Sequence, residues 1–258
     1  MTTQIENTNY DDLGKSLEDL LNDIGNLHDI IDIAHRGISL TQAMPKVAKV
    51  LMKVEGENEN NRSAVENAER IAQVAKVEID NGFPFLFSQG TLMLYSYLEG
   101  AIKRFITTYF KNNAVNNIKE FNNVKISLGD YLCLDENEKY EYIFQQYEKS
   151  VAIGIQYGVT RFETLLFPIG FGGPVDEETS KSIFELSQLR NNILHRGAIA
   201  DRFLIKNCPW LNYKLGDKVN VEKESYNKYF KAISSYLVLI AIRLGEKRGK
   251  DMSEFKTS

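Results

Sequence analysis

Two cysteines in 258 residues, Cys133 and Cys208, far apart and without a CxxC partner, exclude a disulfide scaffold and a cysteine-based zinc site. Histidine is almost as scarce. His28, His35 and His195 have no neighbouring cluster of Cys, His and Asp at ligand spacing, so no metal centre and no other cofactor is expected. No apolar run of about 18 residues occurs, and the polar, acidic N-terminus lacks a basic stretch followed by an apolar one. No membrane span or secretory leader is therefore expected, and the cytoplasm is the default compartment. The 31 Lys and Arg against 35 Asp and Glu leave a net charge of −4. That balance argues against a protein that coats nucleic acid through bulk electrostatics and leaves local site chemistry open.

What is present is core-forming: 43% of residues are hydrophobic and 11% aromatic, a composition that folds. The periodicity is helical almost throughout, so the expected class is all-α. From Asp11 to Ala34, Leu13, Leu17, Leu20, Ile24, Leu27, Ile31 and Ala34 step alternately by four and three, the pattern of a coiled-coil-type seam, and Gly37 is expected to end that helix. A second helix is expected over Thr41–Val54. A third carries Val65, Ala68, Ala72, Ala75 and Ile79 at the same spacing. Residues 1–82 thus read as an N-terminal helical arm, closed by the boundary Asn81-Gly82-Phe83-Pro84.

Beyond that boundary, residues 83–258 read as a helical bundle domain. A core helix over about Phe87–Phe110 sets Leu94, Tyr95, Leu98, Ile102, Phe105 and Tyr109 on one broad face, with Glu99 at its margin. Asn112 to Asp135 reads as a long loop with short helices, Tyr140 to about Leu166 as helix, and Pro168–Pro174 as a loop. Asp176-Glu177-Glu178 then places acid at a helix N-terminus, and that helix is expected to run to His195 and stop at Gly197. Tyr213–Val221 is expected to form a small β-hairpin with Gly216-Asp217 at its turn. A last helix carries Tyr226, Phe230, Ile233, Leu237, Ile240 and Leu244, and the basic tail Arg243–Lys250 is expected to be solvated.

Projected at roughly 100° per residue, the helix ending at His195 has a buried stripe of Ile183, Leu186, Leu189, Ile193 and Leu194, and Arg190 falls inside it. A guanidinium left unpaired in an apolar core is costly, so a carboxylate must meet it or the core must open into a cleft. Glu99 is the expected partner. His195 lies roughly 140° around the helix from Arg190, so the two would flank a groove, with Arg190 at its floor and His195 at its rim. Asn191 precedes His195 by one turn on the same side. These residue types suit transfer of an RNA phosphodiester to its neighbouring 2′-hydroxyl. An imidazole moves the proton, an arginine stabilises charge on the phosphoryl oxygens, and no metal is required.

The string Arg190-Asn191-Asn192-Ile193-Leu194-His195 resembles the Arg, polar residue, three variable residues, His motif of the HEPN superfamily, the higher eukaryote and prokaryote nucleotide-binding domains. The layout over residues 83–246 is also similar: an aromatic-rich helix with Glu99, a motif-bearing helix and a closing amphipathic helix. The resemblance implies a four- to five-helix bundle, commonly a homodimer with two motifs across one cleft. It implies metal-independent RNA cleavage in active members, many of them toxins or phage-defence effectors, with an antitoxin or regulatory protein as a further partner. By carry-over Arg190 and His195 would be catalytic and Asn191 supporting, while Glu99 matches a looser pattern. Other members lack activity and bind nucleotides or proteins, so a non-catalytic binding module is the alternative.

Three further signals are weaker. Arg196, Arg202 and Lys206 follow the motif and are candidates for contact with an RNA backbone. Gly170-Phe171-Gly172-Gly173 lacks the Lys-Ser/Thr of a P-loop and reads as a structural turn. His28 and His35 lie along the arm's seam and read as packing residues.

Overall fold

The structure is a computed structural model that describes residues 10–113, 115, 118–152, 154 and 157–255. Helices form where the sequence supplies an apolar stripe, and several also carry a start signal. α1 (Tyr10–Leu40) carries the expected seam, and Leu13, Leu17, Leu20, Ile24, Leu27 and Ile31 are all buried. At about 1.5–3 kcal/mol for each large apolar side chain removed from water, that seam is a major stabilising element. A 3-10 turn at Thr41–Ala43 leads into α2 (Met44–Glu55). α3 (Glu59–Asp80) begins where the Asn58 side chain accepts from the Asn61 amide. The Gly82 and Phe83 backbones, at φ 75° and 61°, reverse the chain into α4 (Pro84–Asn112). α5 (Leu128–Leu132) is short, and α6 (Glu136–Val151) opens with a capping box between Asp135 and Glu138. α7 (Gly158–Leu166), α8 (Glu177–His195), α9 (Arg202–Asn207) and α10 (Lys223–Lys247) complete the bundle.

α4 is the hub, packing against α1, α10, α6 and α8, and α8 is in turn held by α10, α7, α4 and α9. Gly37 does not end α1. A lone glycine inside a helix costs only about 1 kcal/mol, and the Leu/Ile seam before it outweighs that. The arm expected over residues 1–82 is divided as well. The buried face of α1 belongs to the same core as α4 and α10, whereas α2 and α3 pack on each other outside it.

The helix expected over Tyr140–Leu166 is two helices, α6 and α7, and residues 153, 155 and 156 between them lie outside the described residues, as do 114, 116 and 117 of the Asn-rich loop. The β-hairpin does not form, and no strand occurs among the described residues. Instead the segment pairs with the chain leaving α8: Ala200 N donates to Asp217 O at 2.8 Å and Val219 N to Ala198 O at 2.8 Å, with one antiparallel bridge between Ile199 and Lys218. Burial of Val219 and Val221 favours that pairing over a solvated hairpin. The basic tail is not solvated at its start. Arg243 is largely buried, donating to Glu163 at 2.9 Å and to the Phe171 carbonyl at 2.9 Å. Among the described residues no helix is long and apolar enough to cross a membrane.

Candidate active site

α8 is fixed at both ends. The Asp176 carboxylate accepts from the Thr179 amide at 2.8 Å, a bond that holds the Asp176 carboxyl below its ordinary pKa. At the other end the Asn192 carbonyl accepts from Arg196 N at 2.9 Å, Gly197 adopts φ 64°, and Asn192 Nδ2 donates to the Ile199 carbonyl at 2.8 Å. The buried asparagine of the motif is therefore Asn192, which ties down the turn, while Asn191 is half-buried beside it. His195 occupies the last helical position, exposed.

One and a half turns earlier, Arg190 reaches α4. Its Nη2 lies 3.6 Å from Glu99 Oε2, so the expected pair is present, and its guanidinium sits 5.7 Å above the Tyr95 ring. Its Nε is buried with no hydrogen-bond partner. The side chain is 30% exposed, so Arg190 is half-buried at the edge of the core and not sealed at its floor.

Leu194, expected in the buried stripe, is 51% exposed. The stripe itself is wider than a single helical face. Ser182, Glu185, Ser187, Gln188 and Asn192 are buried alongside Ile183, Leu186 and Leu189, because four helices surround α8 for most of its length.

The second oxygen of Glu99 engages a residue that the sequence reading passed over. Arg161 Nη1 on α7 donates to Glu99 Oε1 at 2.6 Å, and the same guanidinium donates to Glu148 Oε1 on α6 at 2.6 and 3.2 Å. Burial works against the Arg161 charge, but the Glu148 and Glu99 carboxylates outweigh it and leave the guanidinium firmly protonated. The Tyr95 phenol is pushed up to about 12 by burial and by the Glu99 charge. Glu99 thus bridges two arginines, tightly to Arg161 and loosely to Arg190. A cavity of about 240 Å³ opens beside it, lined in part by Glu99, Lys103, Glu148 and Arg161. Arg161 shares its short helix with buried Val159, Phe162 and Leu165, so the reasoning that singled out Arg190 applies to it equally.

The remaining candidates divide. Arg196 Nε lies 3.3 Å from Asp201, the N-cap of α9, and is committed to that turn. Arg202, at the start of α9, is exposed. The Gly170–Gly173 loop is a structural turn, its Gly173 amide donating to Glu163 at 2.7 Å. His28 stacks on Phe230 at 4.2 Å and His35 meets Phe83 at 4.3 Å, both packing contacts. No protein-family model, characterised protein or solved structure matches this chain.

Proposed function

We propose that the chain is a metal-independent endoribonuclease of the HEPN type, acting in toxin or phage defence. The observation that carries this reading is the state of Arg190: a half-buried guanidinium, its side chain 30% exposed, touched by Glu99 at one edge and carried on the helix that ends in exposed His195. A phosphoryl oxygen is an acceptor suited to the exposed part of such a group. In the proposed reaction the substrate 2′-oxygen attacks phosphorus and the P–O5′ bond breaks, leaving a 2′,3′-cyclic phosphate and a 5′-hydroxyl. One proton leaves the 2′-hydroxyl and one reaches the departing 5′-oxygen. His195 serves one of these transfers, Arg190 stabilises the negative charge on the phosphoryl oxygens, and Asn191 lines the approach. A second copy of the chain, as the family resemblance implies, would contribute the second histidine. Arg202 is better placed than Arg196 for the RNA backbone, because Asp201 already holds Arg196.

The test is incubation of the purified protein with RNA in EDTA, followed by analysis of product ends. Cleavage with cyclic phosphate termini should fall about 100-fold or more in Arg190→Ala and in His195→Ala, while thermal melting of the exposed His195 variant stays put. Unchanged cleavage in either variant sinks the proposal. A stable RNA or nucleotide complex without turnover would establish the binding-module reading instead.

A further inference from the structure

Three helices meet beside Glu99 without filling the space between them. The cavity there, about 240 Å³ and bounded by α4, α6 and α7, is small against the roughly 300–1,000 Å³ of sites for drug-sized ligands and suits a single planar heterocycle. Buried Phe144 and Phe162 supply apolar wall. The polar wall has its open capacity in carboxylate. Glu148, 27% exposed, accepts both of its bonds from Arg161 through Oε1, at 2.6 and 3.2 Å, and its Oε2 takes no hydrogen bond among the described residues. Lys103, the lysine of the lining, is already held by Glu141 at 2.9 Å. A carboxylate oxygen accepts and cannot donate, so Glu148 selects for a ligand that donates.

Gly100 lines the same cavity from within α4. It is exposed, and a Cβ there would meet nothing of its own chain within 4 Å. Alanine would make the helix firmer at that position, so the packing of this chain gives no reason for glycine. The room that Gly100 leaves is part of the cavity.

We propose that this cavity is the subsite for a nucleobase bearing an exocyclic amino group, on a nucleotide that adjoins the phosphate held by Arg190. The inference rests on the ribonuclease reading and adds a base preference to it. Glu99 joins the two places, because it lines the cavity while its Oε2 lies 3.6 Å from Arg190 Nη2. A base and its phosphate are separated by one sugar, and the cavity and Arg190 are separated by one carboxylate. The amino groups of adenine, cytosine and guanine can donate to Glu148 Oε2. Uracil has no amino group, and its single N3–H stands between two carbonyl oxygens. A carbonyl turned toward Glu148 is repelled and leaves the carboxylate unpaired, so uracil is the base this wall rejects.

Fluorescence anisotropy with labelled hexamers of 2′-fluoro adenosine, cytidine or uridine provides the test, since these lack the attacking hydroxyl and report binding without turnover. The full chain should bind the adenosine and cytidine hexamers about tenfold more tightly than the uridine hexamer, the scale of one hydrogen bond to a charged group. Gly100→Leu fills the cavity from an exposed helical position. It should abolish the preference, keep the weak uridine binding and leave the melting temperature no lower. Glu148→Gln, whose amide can also donate to a uracil carbonyl, should narrow the gap. Equal binding of the three hexamers, binding of none, or a preference unchanged in either variant overturns the subsite. If natural RNA is cut to cyclic phosphate ends while the hexamers bind equally, the subsite falls and the ribonuclease reading stands. If the preference depends on the cavity but no RNA is cut, the ribonuclease reading falls and base recognition stands.

Discussion

α8 touches two clusters of charge, and they are built differently. Midway along the helix Glu185, 2% exposed, accepts from Tyr229 Oη, from Lys228 Nζ and, at 2.6 Å, from Trp210 Nε1. Burial and the Glu185 charge raise the Tyr229 pKa, so the phenol remains a donor. About one and a half turns later Arg190 meets Glu99 at 3.6 Å, with its buried Nε unpartnered and its side chain 30% exposed. In the first cluster both carboxylate oxygens are engaged by side chains of the bundle. The second is only loosely paired, at an edge of the bundle where the arginine side chain reaches solvent. Satisfaction of hydrogen bonding, more than charge itself, separates a carboxylate that holds the bundle together from a guanidinium free to act.

Glu185→Ala should break the closed cluster, stranding the buried Tyr229 hydroxyl and the Trp210 indole. Urea unfolding should show a loss of about 3 kcal/mol. Glu99→Ala, whose partners remain solvated and whose Arg161 keeps Glu148, should cost less than about 1 kcal/mol. Equal losses would erase the distinction between the clusters. Arg161→Ala sharpens the open side. If Arg161 holds Glu99 in place for Arg190, RNA cleavage should fall about tenfold while RNA affinity stays within a factor of two or so. An equal loss of affinity would make Arg161 a contact residue and not a positioning one. Asp176→Ala removes the N-cap of the helix carrying both clusters and should cost about 1 kcal/mol, read as a lower melting temperature with the relative activity of the folded protein unchanged.

The smallest effect is expected at His35. Burial, and next the Lys223 charge, lower the pKa of His35, whose Nδ1 is buried without a partner. A base with a depressed folded-state pKa contributes stability that is complete above its unfolded value of 6.5 and is lost as pH falls from there through the folded value. Unfolding free energy should therefore decline below about pH 6.5, and His35→Leu should flatten the decline.

Much of this was legible in the sequence. The seams of α1 and α10, the motif helix with its Asp176 start and Gly197 stop, and the Glu99–Arg190 pair all follow from spacing, because a buried stripe and a stranded charge are local facts with one economical solution. Glu185, Gln188 and Asn192 were not legible as buried polar groups. A single-face projection assumes solvent on the far side, and α8 has neighbours nearly all round. Arg161 escaped because its partners Glu99 and Glu148 lie 62 and 13 residues away and meet only when α4, α6 and α7 pack. The Tyr213–Val221 hairpin failed for the same reason. Its strand-like pattern is real, but the edge it pairs with is the chain leaving α8.

Sequence alone determined that the chain is helical, where most of the helices lie and which arginine needs a carboxylate, since each depends on residues within one helix or on a charge that cannot be buried alone. Tertiary structure decided which polar groups are engaged within the bundle and which are loosely paired, and how residues 10–82 divide between core and hairpin. Those outcomes depend on which surfaces meet, and the periodicity of a single helix carries no record of its neighbours.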